Sequence, residues 1–315
     1  MSDPVTTGGM ATRPQGAAEP VAEAAGAARG LWSDALHDLV RRPLFLIAFA
    51  IVGVFVVMAA FPSLFTSVNP EFADLSRSME RPSAEAWFGY DLQGRDVYAR
   101  TIYGARPSIV VGVLAVIAAT LFGGLIGILA GYFGGWIDSL LSRMGEIFLG
   151  LPYVLGAIII LSIFAGPRSG ASATQIMFIV VLVMAFLGWP LIARIARSSV
   201  LAVRHSDYVQ AARGLGAGPA RVIFRHLLPN ALAPIIVMAT ISIGAYISAE
   251  AVLSFLGIGL RAPVISWGVA IADHQSLLRQ SAHPLLFPAA FLTIAVLAFV
   301  MIGDAVREAL DPKLR

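Results

Sequence analysis

No cysteine occurs in the 315 residues, which removes disulfide frameworks, thiolate metal centres and cysteine nucleophiles from consideration. Lysine is nearly as scarce. Of 22 Lys and Arg residues only Lys313 is lysine, so no GxxxxGK[ST] phosphate loop exists in these residues; if ATP drives the protein, another polypeptide binds it. Charge as a whole is sparse, at 13% of residues against about 25% in an ordinary soluble protein. With 58% apolar residues and a mean hydropathy of +0.81, there is too little charge to cover a water-facing surface, and the composition is that of a membrane protein. The five histidines are scattered and no HExxH occurs, so an intramembrane zinc hydrolase lacks its ligand set. No catalytic residue, metal or cofactor is expected, and no nucleic-acid partner.

A charge in the hydrocarbon core costs at least about 2.5 kcal/mol, so gaps between charged residues map the spans. Six gaps are long enough, and they predict an all-α polytopic fold with helices near 44–64, 108–132, 143–165, 176–194, 230–256 and 285–302. The runs are continuous rather than alternating at period two, which excludes an outer-membrane barrel. Pro152 and Pro190 fall inside the third and fourth spans and should bend them. Gly123, Gly127 and Gly131 repeat every fourth residue in the second span, a ridge that lets another helix approach closely, within one subunit or between two.

Residues 1–28, rich in Ala, Gly, Pro and Thr without an apolar run, read as a disordered tail. Residues 29–43 turn amphipathic: Leu31, Trp32, Ala35, Leu36, Leu39 and Val40 share one face, which predicts a helix along the membrane surface anchored by Arg41 and Arg42. Six spans put both termini on one side. That side carries fourteen Lys and Arg residues against eight on the other, which makes both termini cytoplasmic.

The fourth-to-fifth connection, 195–229, is too polar for the bilayer and too regular for a tether. Asp207 is placed to cap a short helix, with Gln210 closing a capping box and Ala211, Ala212 and Leu215 continuing it. Gly216 supplies a left-handed stop, Pro219 opens a second short helix, and Pro229 ends it. The expected product is a rigid ledge of two short helices, able to transmit force from a soluble partner.

At these residues the chain resembles the EAA loop of ATP-binding-cassette importer permeases. Gln210-Ala211-Ala212, Gly216 and His226-Leu227-Leu228-Pro229 keep that pattern's spacing, with Gln210 standing for the usual Glu and His226 for the usual Ile. Arg225 to Asn230 has the form usual in the dipeptide/oligopeptide subfamily. The likeness to its C-type permease subunit covers about 31–315. It runs through Phe88-Gly89-Tyr90-Asp91, Gly94-Arg95-Asp96-Val97, Tyr103-Gly104-Ala105-Arg106, Tyr132 to Asp138, Leu151-Pro152, Glu250 with Leu253 to Gly257, Ser266-Trp267-Gly268 and Leu310-Asp311-Pro312. Short blocks are weak singly; their order and spacing together are strong.

The resemblance implies a type I importer in the plasma (inner) membrane of a bacterium. Two permease subunits form the pathway, two P-loop ATPase subunits sit beneath, and an external binding protein delivers a di- or oligopeptide, with nickel or other small solutes as alternative cargo. The residues expected to couple to the ATPase are Asp207, Tyr208, Gln210, Ala211, Ala212, Arg213, Gly216, Arg225 and Pro229, the helix from Tyr208 to Leu215 docking in its cleft. The plainer alternative is that the Arg-rich loop only holds topology and touches anionic lipid. Glu250, late in the fifth span, is a candidate to line the pathway, or sits paired or hydrated without touching substrate. Glu146 reads as structural, Asp304 and Arg307 as a helix-end ion pair, and Arg95, Asp96 and Arg100 as a solvated helix face. An ion-coupled carrier or a channel is the rival class, but no succession of buried acids and no charged ring is present.

Overall fold

The structure is a computed structural model that describes residue 37 and residues 39–166 and 170–310; the expected tail, most of the amphipathic segment and the last five residues lie outside the described residues. Ten α-helices organise the described chain: α1 (Pro43–Ala60), α2 (Val97–Phe133), α3 (Gly135–Gly150), α4 (Tyr153–Phe164), α5 (Ala173–Val203), α6 (Asp207–Gly214), α7 (Pro219–Val222), α8 (Leu228–Phe255), α9 (Trp267–His274) and α10 (His283–Leu310). A π-helical turn, Ile223–Leu227, joins α7 to α8. Among the described residues no strand forms beyond the isolated bridge of Tyr90 with Asp96.

Five helices are long and apolar enough to cross a membrane, and α3 with α4 makes a sixth candidate bent by 89°. The expected third span is therefore two helices. Leu151, preceding proline, is driven to extended backbone (φ −84°, ψ 129°), and Pro152 has no N–H to carry the helix on. Pro190, by contrast, lies within an unbroken α5. At 37 residues, α2 extends about 55 Å, well beyond the ~30 Å hydrocarbon layer, so its first turns stand clear of the expected span.

Between apolar helices in lipid the association is carried by close packing rather than by exclusion of water. The glycine ridge of α2 meets α5. A methyl added at Gly123 would lie 2.4 Å from the Trp189 carbonyl, at Gly127 2.2 Å from the Ala193 carbonyl, and at Gly131 2.9 Å from the Val200 side chain. The ridge thus serves packing within the subunit, and α2 and α5 form the most extensive helix pair. On α8, Gly244 admits Val296 and Val300 of α10.

The ends of the described chain meet. Leu39 packs with Ala309, and Arg42 pairs with Glu308. This replaces the expected Asp304–Arg307 pair, which does not form, and puts both ends of the described chain on one side. Glu146 pairs with Arg143 at 2.7 Å, both exposed.

On the opposite side, residues 61–96 fold into a cap. Phe88 stacks on Phe287 of α10 at 3.8 Å, and Asp91 is wholly buried. Asp91 Oδ2 receives Arg95 Nε at 2.7 Å, with Arg100 Nε at 3.7 Å and His274 Nε2 at 3.9 Å. Arg95, Asp96 and Arg100 are thus no solvated face. Arg100 keeps 7% of its surface, and Asp96 accepts the Ala99 N–H at 2.7 Å as the N-cap of α2, its carboxyl raised above the usual range by burial. Alternating Arg and Asp looked solvated because the buried acid, Asp91, is set by a turn rather than by helical spacing.

Candidate functional site

The connection between α5 and α8 is a built ledge with its own core. Val209, Val222 and Leu227 are fully buried, and they join Ala196 and Val200 of α5, Ala231 of α8 and Ile128 of α2 in one cluster. The loop therefore cannot move without moving three long helices. Val209 is not among the residues expected above to build the ledge; its one mark in the sequence is an isolated valine amid Arg-rich polar residues.

α6 begins one residue earlier than expected. Ser206 occupies the cap position, Asp207 is the first helical residue, and no side-chain capping bond forms; the Ser206 hydroxyl turns back to the Val203 carbonyl at 2.7 Å. Gln210 Nε2 donates to the His205 carbonyl at 2.8 Å, so it ties α6 to the end of α5 without the reciprocal box. The stop is as expected. Gly216 has φ +82°, which lets the Ala217 N–H reach the Ala212 carbonyl (3.0 Å) and its own N–H reach Arg213 (2.9 Å). Pro219 starts α7 behind Gly218.

Pro229 does not end the second helix. The chain passes from α7 through the π turn into α8, with Pro229 in the first turn of α8, so 219–255 is one 37-residue helical run. The wider π turn ends two residues before Pro229, which can neither donate nor tolerate a close carbonyl one turn back, and that carbonyl, of Arg225, lies within the turn. The consequence is a stiffer lever than two helices and a stop would make.

Two anchors bind the ledge to the rest of the subunit, and a third holds the end of α5 from which it springs. Arg204 Nη1 donates to the Gly131 carbonyl at the end of α2 (2.9 Å), the Arg213 guanidinium sits 5.1 Å above the Tyr132 ring, and Arg197 forms a two-pronged pair with Asp138 of α3, Nη2 to Oδ2 being 2.7 Å. Several arginines of the loop are thus used inside the subunit. The Arg197–Asp138 side chains remain 37% and 17% exposed, so a double-mutant cycle with Arg197→Ala and Asp138→Ala, read by thermal unfolding in detergent, is expected to give a coupling of about 1 kcal/mol.

Outward from this anchored base the ledge presents Tyr208, Leu215 and Phe224, with Leu215 89% exposed at the tip beside the left-handed turn. Gln210, Ala211, Arg213, Arg221, Arg225 and Pro229 are also exposed, and Ala212 is half-buried. The expected coupling residues therefore lie on one projecting element. Glu250 does not belong to it. It is fully buried near the far end of α8, with Ser254, Ser266 and Ser108 around its carboxyl. A cavity of about 380 Å³ opens between α2, α3 and α5, walled by Gly127, Gly145, Trp189 and Arg194. Among the described residues no cluster of His, Asp or Glu could hold a metal ion.

A family model described as "Binding-protein-dependent transport system inner membrane component" matches residues 123–315, which include the whole ledge, and one described as "N-terminal TM domain of oligopeptide transport permease C" matches 30–82. The "Dipeptide transport system permease protein DppC" of Alkalihalophilus pseudofirmus is 39% identical over 284 residues, 90% of each chain. The chain belongs to the dipeptide/oligopeptide permease family of ATP-binding-cassette importers. A further relative, the "Oligopeptide transport system permease protein OppC" of Bacillus subtilis, is 34% identical over 97% of this chain and 100% of its own length. In architecture the chain is a type I importer permease. A solved inward-facing MetNI methionine ABC transporter matches 67% of this chain and 96% of its own with a TM-score of 0.54 at 19% identity, a likeness of fold.

Proposed function

We propose that this protein is one permease subunit of an ATP-driven importer of di- or oligopeptides. It pairs with a second permease subunit, two P-loop ATPase subunits and an external binding protein, and both termini face the cytoplasm. The observation that carries the proposal is the ledge: an apolar tip on an element locked by Val209, Val222 and Leu227 to α5, α8 and α2. A surface patch of this kind on a membrane protein marks a protein contact, and its stiffness converts closure of a soluble partner into displacement of spans. A purely lipid-binding loop needs neither the left-handed stop at Gly216 nor the buried valines. Peptide as cargo follows from the relatives' names, the ledge itself being indifferent to it.

The absence of cysteine from this chain helps the test, because a single introduced thiol has no background within this subunit. Leu215→Cys, carrying a short photo-crosslinker in the assembled importer, is expected to yield an adduct with an ATPase subunit whose yield changes on ATP binding. Adducts with lipid alone, or with no subunit, would overturn the docking reading.

A further inference from the structure

Glu250 has no exposed surface and no cation among its described partners. Its surroundings are three serines from three elements. Ser254 Oγ donates to Oε1 at 2.7 Å, Ser266 Oγ lies 3.4 Å from the same oxygen, and the Ser108 hydroxyl of α2 also interacts with the carboxyl, while Oε2 has no hydrogen-bond partner among the described residues. Each serine has a second task. Ser254 Oγ accepts the N–H of Leu260 at 2.9 Å, Ser108 Oγ that of Trp267 at 3.1 Å, and Ser266 Oγ, as N-cap of α9, that of Val269 at 3.2 Å.

A hydroxyl has one proton and two lone pairs. With their protons directed to Glu250, Ser254 and Ser266 keep their lone pairs turned to the backbone N–H groups of Leu260 and Val269, beyond the turn out of α8. We infer that Glu250 is a positioning residue: its Oε1 orients the Ser254 and Ser266 hydroxyls, with Ser108 of α2 beside the carboxyl, and through them it fixes residues 257–269 and α9 against α2 and α8. The packing on that end demands such control. Trp267 is wholly buried, its Nε1 donates to the Thr101 carbonyl at 2.9 Å, and its ring meets Phe55 of α1 edge-on at 5.6 Å. A methyl at Gly268 would stand 2.7 Å from Ala251, and one at Gly259 2.6 Å from the Ser254 nitrogen. At the last residue of α9, His274 comes within 3.9 Å of Asp91 and so of the cap. The far end of α1, α2, α8 and the cap therefore registers on one short helix whose N-terminus is held by the Glu250 hub. The contribution is an acceptor position, not a charge offered to a peptide.

Three variants separate those roles. Glu250→Gln keeps an oxygen at the place of Oε1; Glu250→Asp keeps the carboxyl but withdraws it by about one bond length, ~1.5 Å; Glu250→Leu removes the acceptor. In the assembled importer, amide hydrogen exchange across 257–269 is expected to stay near wild type in Glu250→Gln and to rise about tenfold or more in Glu250→Asp and Glu250→Leu, as buried donors lose their acceptors. Uptake should follow the same order, Gln above Asp, with the KM for loaded binding protein unchanged. This uptake arm rests on the permease reading; the exchange arm does not, so a failure of ATP coupling leaves it standing. Should Glu250→Leu fail to accumulate, Gln against Asp alone decides. Asp exceeding Gln in uptake, or equal exchange in all variants, overturns the inference.

Discussion

Gly216→Val is expected to leave the amount of the subunit in the membrane unchanged while removing co-purification of the ATPase subunits and lowering ATP-driven uptake more than tenfold. The reasoning is local. At φ +82° a residue with a Cβ is strained by about 1–2 kcal/mol, and a β-branched one by more, yet nothing lies within 4 Å of where that Cβ would stand. The penalty is therefore backbone strain alone, with no steric clash to spread into α5 or α8. The chain escapes it by leaving the left-handed conformation, and in doing so breaks the returns from Ala217 to Ala212 and from Gly216 to Arg213 and swings Leu215 away. A shift of about 2 kcal/mol against the docked shape is a factor of about 30 in its population. The order Asn, Ala, Val should be the order of increasing damage, because Asn tolerates positive φ best. Equal uptake by all three would detach the turn from the mechanism.

Gly127→Leu is expected to do the opposite: little folded subunit accumulates at all. The first added carbon would meet the Ala193 carbonyl at 2.2 Å and the Ala196 methyl at 2.7 Å, both on α5 and neither able to rotate aside. Overpacking costs about 1–3 kcal/mol where side chains can adjust, and here the two longest-paired helices must part instead. Gly127→Ala should already lower the unfolding midpoint in detergent, and Gly127→Leu should abolish the cooperative transition. Gly124 provides the control three positions earlier on the same helix: a methyl there meets nothing within 4 Å, and Gly124→Ala should unfold as the parent does. A tolerated Gly127→Leu would mean that α2 and α5 are not packed as described.

Most of the architecture was legible because a membrane writes it into the charge pattern: Arg143, Arg194 and Asp304 bracket apolar runs that solvation costs forbid them to enter. The glycine ridge was legible for a related reason, since only a close approach explains glycine every fourth residue in an apolar helix. What stayed hidden was set by contacts distant in sequence. Pro152 announced a bend but not one of 89°, because the angle depends on what α3 and α4 each pack against. The buried Asp91 cluster unites Arg95 and Arg100 with His274, and the Glu250 hub unites Ser108 with Ser254 and Ser266; no local spacing encodes either. In the ledge, Gly216 and Pro219 are readable from turn chemistry alone, whereas the cap falls one residue earlier than the sequence suggests, at Ser206, and Pro229 does not stop the helix because a π turn that absorbs it leaves no mark in composition.

The central claim is that this subunit has no engine of its own and is moved through a stiff cytoplasmic handle. Uptake of radiolabelled peptide into proteoliposomes tests it most directly, comparing the subunit alone with the full set of second permease, ATPases and binding protein, with and without ATP and with an imposed ion gradient. The account predicts uptake only from the full set with ATP, and none from the subunit alone under any gradient. Uptake by the isolated subunit at the rate of the full set, or uptake that follows the ion gradient and ignores ATP, would contradict it.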